Sequence, residues 1–136
     1  MKNLVRMLTI WMLILFPVSL GFCNEPLKIV RNYTNAYVAD LNVALRLSQE
    51  TKQNVLVVFS AEWCGYCSSL KKDLIDLKGL ENKILCIIDV DDNKKLARQY
   101  KAKTLPTSVL INSDEQELSR LSGYEKISYQ KWLQSF

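Results

Sequence analysis

The chain contains no histidine. That absence bears first on metals. Of four cysteines, only Cys64 and Cys67 stand close together, and two thiolates do not complete the four-ligand shell of zinc or copper. Cys86 belongs to a different element and an iron–sulfur cluster shared between subunits has nothing to support it, so no metal and no other cofactor is expected. Charge of one sign is also scarce. Eighteen Lys and Arg against fourteen Asp and Glu leave +4, and without Lys2 and Arg6 the balance is +2. This is too little to imply a nucleic acid or an anionic membrane surface as partner. Internal repeats and low-complexity linkers are missing too, so 136 residues, 49% of them hydrophobic, read as one domain with a core of its own.

The first 23 residues are set apart from that core. Lys2 and Arg6 precede an apolar run from Met7 to Phe16, and Pro17 to Gly21 then bring in small and helix-breaking residues. This is the order of a secretory signal peptide. Ser19 and Gly21 fit cleavage after Gly21; Gly21 and Cys23 fit cleavage after Cys23. Left uncut, the segment would be a membrane anchor, although its apolar run is short for a span of about 20 residues. The bulky Phe22 before Cys23 fits poorly with a lipoprotein site. The expected location is the periplasm or the exterior, an oxidising compartment where a catalytic dithiol needs a partner to reset it. Residues 24–39 form a polar lead-in, with a short apolar patch from Leu27 to Val30 that could form a strand.

The centre of the chain is Trp63-Cys64-Gly65-Tyr66-Cys67. Before it, Val55 to Phe59 is β-branched and aromatic on both faces, the pattern of a buried parallel strand. After it, Cys67, Leu70, Leu74 and Leu77 recur at spacings of three and four, which predicts a helix from Cys67 to Leu77 with Gly79 as its stop. Cys64 therefore falls where a strand hands over to a helix. Free backbone N–H groups and the helix dipole favour a thiolate there, making Cys64 the nucleophile. Cys67, one turn on, is placed to attack a mixed disulfide on Cys64 and release the product. A purely structural disulfide is the weaker reading, because so short a loop stabilises little.

Asp40 caps a predicted helix to Thr51 with Leu41, Ala44, Leu45 and Ser48 on one face. Ile84 to Ile88 is a second buried strand, parallel to the first through the cysteine helix. Asp92 or Asn93 caps a short helix through Leu96, Ala97 and Tyr100, and Lys101-Ala102-Lys103 reads as a linker. Ser108 to Asn112 and Glu117 to Ser122 flank a polar turn as an antiparallel hairpin, and Ser128 to Phe136 forms a closing helix. The expected fold class is α/β, a mixed central sheet with helices on both faces, over residues 40–136.

These features in this order resemble the thioredoxin-like family: an apolar strand running into Ala61-Glu62-Trp63-Cys64-Gly65-Tyr66-Cys67, a second ending in Asp89-Val90-Asp91, then Thr104-Leu105-Pro106-Thr107, a hairpin, Gly123 and a final helix. The resemblance implies a thioredoxin-like fold and a redox-active Cys64/Cys67 disulfide. It implies a cis Pro106 beside the cysteines and a docking strip of Trp63, Gly65, Tyr66, Leu105 and Pro106, with Leu105 offering its backbone to an extended substrate. Two departures stand out. Val58 and Ile87 occupy the positions where cytosolic thioredoxins carry a buried aspartate and a lysine. Losing both avoids an unpaired buried charge, and proton handling at Cys67 is then expected to fall to water reached through the groove. Tyr66 replaces proline, giving the Gly-Tyr pair of periplasmic disulfide isomerases, but residues 24–39 are too few for a dimerisation domain. The implied function is an exported thiol-disulfide oxidoreductase acting as a monomer on protein thiols and disulfides, as a reductase fed by a membrane dithiol protein. The alternatives are a disulfide-donating or isomerase-type enzyme, or a non-catalytic binding module. Cys86 is expected to pack as a small apolar residue, Glu62 to be a solvated loop charge, and Gly123 to be either a turn glycine or a point of close approach.

Overall fold

The computed structural model describes residues 37–136. The signal peptide expected over 1–23 and the strand considered at Leu27 to Val30 lie outside the described residues. Helix α1 (Leu41–Thr51) leads into β1 (Asn54–Ser60), α2 (Gly65–Asp73), β2 (Lys83–Asp89), α3 (Lys94–Gln99), β3 (Thr107–Ile111), β4 (Glu117–Ser122) and α4 (Lys126–Gln134). The sheet order is β2-β1-β3-β4. β1 pairs parallel with β2 and antiparallel with β3, and β3 pairs antiparallel with β4. Beyond β2, Val38 forms an isolated parallel bridge to Cys86, donating its N–H to Leu85 O and accepting from Ile87 N.

Side chains of β1 divide between two cores because successive residues of a strand face opposite ways. Val55, Val57 and Phe59 pack with Leu41 and Ala44 of α1, Ala97 of α3, and Cys86, Ile88, Val109 and Ile111. Leu56 and Val58 pack with Leu70 of α2, Tyr129 and Leu133 of α4, and Leu85, Leu110, Leu74 and Leu77. Helices thus cover both faces, as the doubly apolar strand pattern requires. Each fully buried apolar side chain of this size contributes about 1.5–3 kcal/mol, and β1 supplies five that are 1% exposed or less, Val55 to Phe59.

Helix boundaries shift from the periodicity for local reasons. The Asp40 carboxylate caps α1 as expected, accepting from Asn42 N and Val43 N. Helix α2 starts two residues before Cys67, because Cys64 is its N-cap, and it ends at Asp73 rather than Leu77. There the backbone tightens into an Asp76 N to Asp73 O bond, yet Leu74 and Leu77 remain buried. The apolar spacing therefore continues through a turn that is no longer helix. Gly79 lies beyond that turn and is not the stop of α2; its φ is +99° and its Cα faces the end of α4, where a Cβ would come within 3.1 Å of the Leu133 backbone. Asn93 is the N-cap of α3 without capping it, since its amide donates to Asp89 O. Helix α4 starts at Lys126, not Ser128, because the Glu125 carboxylate accepts from the N–H groups of Ile127 and Ser128.

Candidate active site

The cysteines stand at the C-terminal edge of the parallel pair β1 and β2, where the chain leaves Ser60 through Ala61 and enters α2. Cys64 and Cys67 are joined as a disulfide, with Cα atoms 5.2 Å apart. The Cys67 N–H donates to Cys64 Sγ at 3.2 Å, so the sulfur occupies the position of a capping oxygen at the helix N-terminus. Such a site stabilises negative charge on Cys64 once the disulfide opens. The two sulfurs are not equivalent. Cys64 is 7% exposed and Cys67 1%, and both pack on Ala61 with Val90 and Leu105 alongside.

A groove of about 550 Å³ opens over Cys64, lined by Trp63, Gly65, Tyr66, Val90, Ala102, Lys103 and Leu105. Trp63 and Tyr66 project from its rim at 71% and 68% exposure. With so little packing to hold it, the Trp63 indole is fixed by a hydrogen bond from its Nε1 to Asp91 Oδ2 at 2.8 Å. Asp91 is itself tied back, its N–H donating to Asp89 Oδ1. A larger hollow of about 780 Å³ lies between Lys52, Lys78, Gly79, Lys83 and Leu133. It sits by the starts of β1 and β2, at the opposite end from the cysteines.

Of the residues singled out in the sequence, Trp63, Cys64, Gly65, Tyr66 and Leu105 meet in the groove. Pro106 is buried behind Leu105 rather than on the lining, and the Leu105–Pro106 bond is cis. Its carbonyl accepts from the Gly123 N–H at 2.7 Å. Gly123 has φ +81° and open space where a Cβ would stand, so it is there for its turn conformation and not for close packing. Glu62 is exposed. Cys86 is fully buried in β2, and desolvation, followed by the charge of Asp40, pushes its thiol up to about 12. It is packed as expected and is not part of the exchange pair.

Val90, Ala102, Lys103 and Asp91 were not marked as groove residues by the sequence. They come from loops after β2 and α3: Ala102 and Lys103 closely precede Leu105-Pro106 in the chain, and Val90 and Asp91 end the second apolar run of the resemblance. Val58 and Ile87 stand directly opposite each other in the parallel ladder, both among apolar neighbours. Among the described residues no group of three or more Cys, Asp or Glu is placed to hold a metal ion, and no helix is long and apolar enough to cross a membrane.

Residues 41–136 match the family model described as a thioredoxin-like domain. The chain is 33% identical over 95 residues to thioredoxin H-type 1 of Nicotiana tabacum, covering 69% of this chain and 75% of that one. It is 31% identical over 81 residues to a thioredoxin of Rickettsia bellii, covering 58% and 77%. Among solved structures it is similar to a poplar thioredoxin h, with a TM-score of 0.65, 25% identity, and 70% and 86% of the two chains covered. The chain belongs to the thioredoxin-like family, as a protein-disulfide oxidoreductase whose active site is Cys64-Gly65-Tyr66-Cys67.

Proposed function

We propose that this enzyme is an exported reductase of protein disulfides, working as a monomer and reset by a membrane dithiol protein. The observation that carries the catalytic part is the unequal burial of the two sulfurs, Cys64 at the groove and Cys67 behind it. In the first step the Cys64 thiolate attacks a substrate disulfide, forming a mixed disulfide and expelling one substrate thiolate. In the second, Cys67 attacks Cys64 Sγ, the Cys64–Cys67 bond forms, and the remaining substrate sulfur leaves as a thiolate that takes up a proton. The disulfide form described above is the product of that turnover.

The docking strip in this reading is the face made by Trp63, Gly65, Tyr66 and Leu105, with Pro106 holding Leu105 in place. An extended substrate segment would align its main chain with that of Leu105, which lets one site serve many sequences. The thioredoxin names of the relatives support the reductase direction. Export is supported by Lys2, Arg6 and the apolar run that follows them. In an oxidising compartment reduction needs an upstream donor, hence the membrane dithiol partner.

Equilibrating the Cys64/Cys67 couple against glutathione tests the direction. A potential near the reducing value of thioredoxins, about −270 mV, is expected; a value near about −120 mV, that of a strong periplasmic oxidant, would make it a disulfide donor instead.

A further inference from the structure

Cys67 has to become an anion to resolve the mixed disulfide, and a buried thiol gives up its proton reluctantly. Cys67 is 1% exposed and does not line the groove, which ends on Cys64. The layer around it is also poor in charge. Its packed neighbours, Cys64, Ala61, Val90 and Leu105, carry no charge; in the adjoining core Val58, Ile87 and Leu70 are apolar, and the Tyr129 hydroxyl of α4 is already shared with Ser108 of β3 at 2.6 Å. The nearest carboxylate in the ladder is Asp89, whose Oδ1 is taken by the Asp91 N–H.

One polar group in this layer has no partner. Ser60, at the end of β1, is 1% exposed, and among the described residues its Oγ has no hydrogen-bond partner. An unpaired buried hydroxyl costs about 1–3 kcal/mol, so it calls for an explanation. By strand alternation Ser60 shares the face of Leu56 and Val58, over which α2 runs back from the sheet edge. Cys67 lies in the first turn of α2, over the same end of β1, and packs on Ala61, the residue after Ser60.

We propose that Ser60 is the positioning residue for Cys67: its free hydroxyl donates a hydrogen bond to the Cys67 sulfur, directly or through one water, as that sulfur becomes a thiolate. Ser60 neither gains nor loses a proton overall. The proton released by Cys67 ends on the departing substrate sulfur, as the Cys64–Cys67 bond forms and the bond from Cys64 to substrate breaks. The hydroxyl thereby takes over, in a layer lacking the aspartate and lysine, the stabilisation of the resolving sulfur. This rests on the exchange reading given above.

The test uses the reduced full-length chain carrying Cys23→Ser and Ellman's reagent, which forms a mixed disulfide on Cys64 with release of one chromophore and releases a second when Cys67 resolves it. The Cys67→Ser variant, lacking the second phase, assigns it. Ser60→Ala is expected to leave the first phase unchanged, slow the second at least about tenfold, the loss of a hydrogen bond to a charged group, and move its pH midpoint upward. Ser60→Thr should keep the second phase fast. If Ser60→Ala does not fold, the isosteric pair Ser60→Thr and Ser60→Val carries the same comparison. A second phase with unchanged rate and midpoint in the variant without the hydroxyl overturns the role of Ser60, as does an Asp89→Asn variant that alone reproduces the slowing. Absence of the first phase in the parent would instead overturn the exchange reading itself.

Discussion

Removing the Asp91 carboxylate should loosen Trp63 without touching the sulfurs. The indole is 71% exposed, and among the described residues its one side-chain hydrogen bond is the 2.8 Å bond from Nε1 to Asp91 Oδ2. A hydrogen bond to a charged acceptor contributes about 1.5–3 kcal/mol when sheltered, and an exposed one sits at or below the lower end, about 1 kcal/mol. In Asp91→Ala that amount is lost from the orientation of the groove wall and must be supplied again by each substrate on docking. At about 1.4 kcal/mol per tenfold, the KM for a protein disulfide such as insulin should rise roughly fivefold. The kcat should hold, because Cys64 keeps its N–H donor from Cys67. Asp91→Asn retains an oxygen acceptor and should recover most of the loss. Thermal stability should stay within about 0.5 kcal/mol of the parent, as for surface changes generally. Steady-state insulin reduction with kcat and KM resolved separately is the assay. An unchanged KM, or an Asn variant as impaired as Ala, would refute the idea that this bond shapes the docking surface.

Other consequences of the structure are open to measurement. Tyr129→Phe strands the buried Ser108 hydroxyl and should cost about 1–3 kcal/mol, whereas adding Ser108→Ala should return much of it; a double mutant whose loss equals the sum of the singles in chemical denaturation would contradict this. Gly79→Ala puts a side chain at φ +99° and within 3.1 Å of the Leu133 backbone, so a loss of about 1–3 kcal/mol is expected with unchanged alkylation kinetics at Cys64. Cys86, raised from 9.0 to about 12 by burial first and then by Asp40, binds its proton in the fold after an unfolded chain has lost it. Its contribution to stability is therefore complete below pH 9 and declines as pH rises toward 12. Denaturant midpoints measured across that range should fall less in Cys86→Ala, and an identical fall would exclude the thiol as a cause.

What could be read from the residues was whatever one segment decides for itself. Val55 to Phe59 are buried on both faces, and Ile84 to Ile88 are buried or half-buried on both, so their composition alone identified the parallel pair. The cysteine motif and Pro106 carried the site because their spacing and neighbours are local. Boundaries were less legible. Glu125 caps α4 although it is not among the favoured capping residues, and the sulfur of Cys64 caps α2 where an oxygen is usual. The groove was the least legible part. Trp63 and Asp91 are 28 positions apart, and Val90, Ala102 and Lys103 join them through separate loops. Ser60 left no trace in the pattern, since a strand ending in serine is ordinary and only the folded layer reveals that its hydroxyl is alone.

The placement of Cys86 has a further meaning for an enzyme that trades sulfur bonds. It lies in β2 opposite Val57, inside the sheet and out of reach of any attacking disulfide. A spare thiol at the surface would offer every mixed disulfide a wrong exit, by capture within the same molecule. Buried in β2 between β1 and the Val38 bridge, this one stays inert through each cycle, and bond exchange between Cys64 and Cys67 proceeds without it.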